Sequence, residues 1–352
     1  LYFRRPFTMF RRSSTLLPSV TALGATHLRT MAFSSSAKMI KELRQTTGAP
    51  ILDCRKALDA EAGDLTRAFE WLRKRGAAKA SDLQKGGRSA TDGLVAIAAT
   101  PYDAAIVEVS SETDFVARNE EFQNFVKNVG ETAALVPPPP NSGVHSITLD
   151  ALLQQTPPEG VSSLETELTA LVGKVRENLS VRRASRIVAF PGVVGSYVHG
   201  AVGPPLMSGT TSIQMGRCAA VVALGTDEMP SSDDVTESLQ TIARKLAMHV
   251  VAAQPRFLNE VPEDELAKER LILTDTLKEG DSSGKPAHIL EKIVEGRLNK
   301  FISEVTLLRQ GHMAEPDSPQ ISKVLAAASK QLGLKLTLEG FALYNVSAND
   351  SS

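Results

Sequence analysis

Two short β-branched runs, LVAIAAT at residues 94–100 and AAIVEV at residues 104–109, stand on either side of Pro101-Tyr102-Asp103. A connection this tight lets two strands pair only antiparallel, so the chain is committed to a hairpin and to a sheet built around it. The rest of the pattern is largely helical. Val235, Leu239, Ile242, Leu246 and Val250 form one apolar stripe that Pro255 ends, and amphipathic stretches at 263–279 and 287–307 predict a helical hairpin. Strands and helices that alternate irregularly, with hairpins, define an α+β chain rather than a doubly wound parallel sheet.

Ahead of the hairpin, Ile40 and Leu43, then Ile51, Cys54 and Leu58, then Leu65, Ala68, Phe69 and Leu72 mark three short helices, the third expected to end at Gly76. A bundle this small is marginal alone and suits docking. Behind the hairpin, a helix over 120–135 runs into Pro137, and residues up to 163 read as loop. A further helix carries Leu168, Leu171, Val172, Val175 and Leu179. Strand-like runs follow at 181–189 and 219–224, with a turn expected near Gly192 and Gly195 and a surface loop at 203–216. Residues 322–332 add a helix, and residues 334–346 a closing strand.

The segment SSETDFVARNEEF at residues 110–122 puts an acid and a phenylalanine where the second strand gives way to a helix. Spacing alone favours a buried Phe115, because it stands seven residues before Phe122, on the same face of one continuous helix. Asn119 offers the other outcome. Its side chain suits an N-cap, which would start the helix after it and leave Asp114-Phe115 at the strand-to-helix junction.

Enzyme chemistry finds little footing. GDSSGKP, starting at Gly280, is one residue short of a phosphate loop and carries Pro286 where a Mg²⁺-binding hydroxyl belongs. Ser196 lacks the downstream glycine of a nucleophile elbow. The six histidines are scattered, and Cys54 and Cys218 show no metal-ligand spacing. No cofactor and no metal is expected. Two cysteines suit a reducing compartment. No run reaches the roughly 18 apolar residues of a membrane span, so no membrane is expected as partner.

Charge is unevenly placed. The first forty residues hold Arg4, Arg5, Arg11, Arg12, Arg29 and Lys38 and no acid. Taking those six from the 39 basic residues leaves 33 against 40 acids, a net −7 for the remainder. An arginine-bearing, Ser/Thr-rich, acid-free start has the composition of a mitochondrial presequence, which implies the matrix. The acidic remainder argues against direct binding of nucleic-acid backbone, which needs a surplus of Lys and Arg on one face.

Five segments in order resemble the translation elongation factor Ts family: residues 40–76, 113–122, 178–200, 245–258 and 283–301. The resemblance implies a ubiquitin-associated-like domain of three helices followed by two α+β subdomains with small antiparallel sheets and a helical hairpin. The expected division is a presequence at 1–37, the helical domain at 38–78, a linker at 79–90, and core subdomains at 91–192 and 193–352, with the helical hairpin at 263–307. It also implies guanine-nucleotide exchange on elongation factor Tu, the mitochondrial one given the presequence, bound in its GDP and nucleotide-free forms. Such a protein is not an enzyme. Asp114 and Phe115 match a pair that wedges between helices of the GTPase and disturbs its Mg²⁺ site, which implies an outward Phe115 against the buried one that spacing favours. Thr113 and Val116 would fix the base of that wedge. Arg44, Ile51 and Leu52 match positions that touch the same GTPase domain, and His199 matches an interface histidine. Gln310-Gly311-His312-Met313 departs from the usual Gln-Pro-Phe-Val. The rival function is a ubiquitin-associated-domain adaptor without exchange activity.

Overall fold

The computed structural model describes residues 37–85, 90–138, 140–279 and 286–346. Residues 1–36 of the expected presequence, 86–89 of the expected linker and the glycine segment 280–285 lie outside the described residues. Three helices come first: α1 (Ala37–Thr47), α2 (Ile51–Ala60) and α3 (Leu65–Lys85). Leu43, Cys54, Ala57, Leu58 and Ala68 make their small core. Gly63, at φ 85°, turns the chain into α3, and Asp64 Oδ1 caps it by accepting from the amides of Thr66 and Arg67. α3 does not stop at Gly76 but runs to Lys85, so residues 79–85, expected in the linker, are helical. Gly76 is a point of close approach instead of a cap, because a Cβ on Gly173 would lie 3.5 Å from its Cα.

The expected hairpin is β1 (Asp92–Ala99) and β2 (Asp103–Ser111), paired antiparallel. Then come α4 (Asp114–Ala117), α5 (Glu120–Leu135), β3 (Gly143–Ser146), α6 (Leu149–Leu153), α7 (Leu164–Val175) and β4 (Ser180–Val188). β5 (Gly192–His199), β6 (Leu206–Ser208), β7 (Thr211–Gly216) and β8 (Cys218–Thr226) precede α8 (Asp233–Ala253), α9 (Glu263–Glu279), α10 (Ala287–Val305), α11 (Ile321–Leu332) and β9 (Leu336–Asn345). Two antiparallel sheets result, with orders β3-β4-β2-β1-β7-β6 and β5-β8-β9. The stretch expected as a surface loop at 203–216 is therefore a hairpin whose second strand completes the six-stranded sheet beside β1. The loop expected up to residue 163 likewise holds β3 and α6.

The sheets stack in four layers. Leu94, Ala96, Ala105, Val107 and Val109 face α5, α6 and α7, while Val95, Ile97, Ala104 and Ile106 face Val194, Val198, Val221 and Ala223 of the second sheet. The far side of that sheet, Val193, Ala220, Val222 and Leu224, packs on α8 through Leu239, Ala243, Leu246 and Val250. Strands covered on both faces read as solid apolar runs rather than alternating ones. Gly195, expected in a turn, lies within β5. A Cβ there would meet the backbone carbonyl carbon of Ala243 at 2.2 Å, so only glycine lets α8 lie this close. One polar bridge crosses between the sheets. Glu108, fully buried, accepts from Arg182 Nη1 (3.2 Å) and Arg183 Nε (2.7 Å), Arg183 lies 4.2 Å from the Tyr344 ring centre, and Tyr344 and Ser185 share a 2.8 Å hydrogen bond.

At the other end of α8 the departure from Gln-Pro-Phe-Val has a structural role. His249 and His312 are buried and stacked, with ring centres 5.5 Å apart. His249 Nε2 donates to Gln310 Oε1 at 2.9 Å, while its Nδ1 accepts from the Met313 amide and His312 Nδ1 accepts from Ala314. Burial pushes both imidazoles below their ordinary range, and each other's proximity adds to this for His312. Lys245 and Glu315 pair at 2.9 Å on the rim.

Candidate partner-binding interface

β2 ends where Ser111 Oγ donates to the carbonyl of Thr113. Thr113 is still extended, and the single turn α4 begins immediately after it. One turn cannot hold itself, because helix nucleation is unfavourable. It is pinned at both ends. The Thr113 amide and hydroxyl donate to Glu177 Oε2 and Oε1 at 3.0 and 2.6 Å, and Val116 and Ala117 are buried against α5 and the sheet. Gln123 Nε2 donates to the Ala117 carbonyl at 3.2 Å. Asn119 then caps α5, its Oδ1 accepting from the amides of Glu121 (2.8 Å) and Phe122 (3.4 Å).

That cap decides the fate of Phe115. The break at Asn119 separates the two helical registers, so Phe122 is fully buried while Phe115 is 77 % exposed. An exposed apolar residue is ordinary in itself. Here the ring projects from a turn fixed by charge-assisted hydrogen bonds, which limits the freedom it would lose on contact. Its neighbour Asp114 pairs with Arg118 at 2.9 Å on the surface. A pair so exposed is worth about 0–1 kcal/mol and yields readily to another partner.

The helical module presents a second apolar patch. Ile51 and Leu52, in the first turn of α2, are 54 % and 69 % exposed, while Cys54, Ala57 and Leu58 on the opposite side make the module core. Arg44 is exposed in the last turn of α1. Burial pushes the thiols of Cys54 and Cys218 up, away from the thiolate a nucleophile needs. Val116 is buried, so it serves as an anchor for the turn and not as contact surface.

The register places these groups at one end of the stacked sheets. Asp92, the first residue of β1, lies opposite Ser111, the last of β2. Arg217 donates to Asp92 at 2.7 Å, and its amide donates to the carbonyl of His199, the exposed last residue of β5. His199 therefore sits at the same end as Asp114-Phe115. The module joins them through Asp53, which follows Leu52 and accepts from Arg176 at 2.6 Å. Arg176 and Glu177 carry this arrangement, and nothing in the sequence nominated them. They bond to residues 123 and 64 positions away, which no local spacing reveals.

Among the described residues, no group of three or more His, Cys, Asp or Glu is placed to hold a metal ion, and no helix is long and apolar enough to cross a membrane. Apolar tips on anchored backbone are the equipment of a protein that docks on another protein. Comparison with known proteins gives that class a family. A profile described as Elongation factor TS matches residues 112–348. Elongation factor Ts of Rhodospirillum rubrum is 39 % identical over 314 residues, covering 88 % of this chain and 92 % of that protein. The Maricaulis maris protein of the same name is 40 % identical over 311 residues, 87 % of this chain and 90 % of its own. That of Paramagnetospirillum magneticum is 39 % identical over 311 residues, 88 % and 90 %. The chain belongs to the elongation factor Ts family.

Proposed function

We propose that this chain is the guanine-nucleotide exchange factor of elongation factor Tu in mitochondrial translation, acting in the matrix, and that Asp114-Phe115 is its wedge. The observation that carries the proposal is Phe115, exposed on a turn pinned at both ends, inside the region that the family profile matches. The acid-free, arginine-bearing first forty residues support the compartment.

The mechanism follows from differential binding. A factor that binds nucleotide-free elongation factor Tu more tightly than the GDP form weakens GDP by the same ratio, and each 1.4 kcal/mol of that difference shifts GDP affinity about tenfold. Burying the Phe115 ring between partner helices contributes about 1.5–3 kcal/mol toward holding them apart. Asp114 leaves its exposed pairing with Arg118 and competes for polar groups around the partner's Mg²⁺. Ile51, Leu52, Arg44 and His199 supply flanking contact on the same GTPase domain. The three-helix module serves here as a ubiquitin-associated-like docking domain. A ubiquitin adaptor is the weaker reading, because the family profile matches residues 112–348, beyond the module, and elongation factor Ts of Rhodospirillum rubrum aligns over 88 % of the chain.

The test is release of labelled GDP from mitochondrial elongation factor Tu. Wild type is expected to accelerate it, and Asp114→Ala/Phe115→Ala to bind yet exchange at least about a hundredfold more slowly, the scale set by misplacing or losing a group that acts only in the transition state. No acceleration by wild type would remove the function, and full exchange by the double variant would remove the wedge.

A further inference from the structure

Both candidate contact regions hang from two consecutive residues. α7 stops at Val175 because Arg176 turns left-handed, at φ 61°, while its amide still donates to the Val172 carbonyl. That conformation is uncommon for a residue with a side chain and persists where the surroundings fix it. They do so here. Arg176 Nη2 reaches across to Asp53 Oδ2 at 2.6 Å, in the helix that carries Ile51 and Leu52. Glu177 points to the other side and takes both donors of Thr113, the residue before Asp114-Phe115. Their neighbours extend the seam. The Asn178 amide donates to Glu112 Oε1 at 2.8 Å, and Lys174 Nζ donates to Glu121 at 3.1 Å.

Hydrogen bonds add to packing in both regions. The module and α7 approach at Gly76 and Gly173, two residues without side chains, and beside that contact lies a cleft of about 650 Å³ lined by Thr46, Phe69, Arg73, Val161 and Glu165. α3 packs along α7 at these glycines, and the Arg176–Asp53 pair ties the module's α2 to the end of the same helix. The wedge turn is packed at Val116 and Ala117, its C-terminal half. Its N-terminal half, which aims Phe115, is held by Glu177 through two bonds to a charged acceptor.

We propose that Arg176 and Glu177 are positioning residues for exchange: Glu177 sets the direction in which Phe115 leaves the surface, and Arg176 holds the module's Ile51-Leu52 patch in register with it. This rests on the assignment of Asp114-Phe115 as the wedge. A partner meets the two patches as one rigid surface because both are referred to adjacent points on the backbone. The split in function follows from the split in bonds. Glu177 acts on the group that opens the nucleotide site, and Arg176 on the group that adds contact.

The experiment measures two quantities for the full chain: affinity for nucleotide-free elongation factor Tu, and the GDP release rate at saturating factor. Glu177→Ala is expected to lower the saturating rate about tenfold with little change in affinity, since small misplacements of an acting group lower rate steeply. Glu177→Gln should restore it, because the amide oxygen can accept from the Thr113 N–H while the amide nitrogen donates to the Thr113 hydroxyl. Arg176→Ala should weaken affinity about tenfold, equivalent to 1.4 kcal/mol, and leave the saturating rate near wild type. The exchanged pair Asp53→Arg/Arg176→Asp should recover affinity. Thermal unfolding of each variant, together with the Gln rescue, separates mispositioning from loss of fold. Adding Glu177→Ala to Phe115→Ala should slow release no further. A Glu177→Ala protein that exchanges at the wild-type rate while Phe115→Ala is slow overturns the inference and leaves the wedge standing. Phe115→Ala at the wild-type rate overturns the wedge itself.

Discussion

Phe115 and Phe122 are seven residues apart, chemically identical, and opposite in fate. Phe122 is fully buried under the six-stranded sheet, and Phe115 is the most exposed phenylalanine among the described residues. One continuous helix would have stacked them on one face. What separates them is Asn119, extended at φ −75° and ψ 129°, whose side chain satisfies the amides that a continuing helix would have bonded itself. A cap therefore overrides a period. Within one segment, the same residue type stabilises the fold at one position and remains available to a partner at the other.

That contrast can be broken outright. Phe122→Ala should lower unfolding free energy by about 3–5 kcal/mol, and Phe115→Ala by no more than about 0.5 kcal/mol, measured by urea denaturation. Comparable losses from the two would mean that Phe115 packs in solution. A second, smaller break comes from acid. His249 and His312 are held neutral in the fold, so below pH 6.5, where the unfolded chain takes up protons that the native pair refuses, stability falls with pH. The slope should approach about 1.4 kcal/mol per pH unit for each histidine between pH 6.5 and the lowered native values, while stability above pH 6.5 stays flat from this source. Glu315 is held low by Lys245 and contributes only nearer the carboxylate range. His312→Phe should halve that slope, and urea midpoints at three pH values read it. The smallest effect sharpens the contrast instead of breaking it. Asn119→Ala should cost about 1 kcal/mol and speed hydrogen exchange at the Glu121 and Phe122 amides, with Phe122 still buried.

Much of the fold was legible where one local rule acted alone. The hairpin turn, the cap at Asn119 and the stripe ending before Pro255 all appear where the residues place them. The misreadings share a cause. Gly76 and Gly195 have the look of stop and turn signals, yet each marks the near approach of a distant backbone. Residues 206–216 resemble a loop because their strands are short and one edge is exposed, and the partner that makes β7 a strand lies more than a hundred residues earlier. Of the candidate site, Asp114 and Phe115 were nominated by position, and Ile51 and Leu52 by resemblance. Arg176 and Glu177 stayed hidden because a charged pair after a helix looks like any solvated end until its partners are known.

The place of β7 beside β1 also bears on when the surface comes into being. A chain presented from its N-terminal end can form β1, β2 and the turn bearing Phe115 early, yet β1 then has one edge of open amides until residues 211–216 arrive. The second sheet waits longer still, since β8 takes its outer neighbour from residues 336–345. Closures at such separation are slow, and an unsealed edge invites strands of other chains. Assembly of the end that bears Phe115 is thus tied to arrival of nearly the last residues described, and an unfinished copy carries its phenylalanine on a platform that is still open.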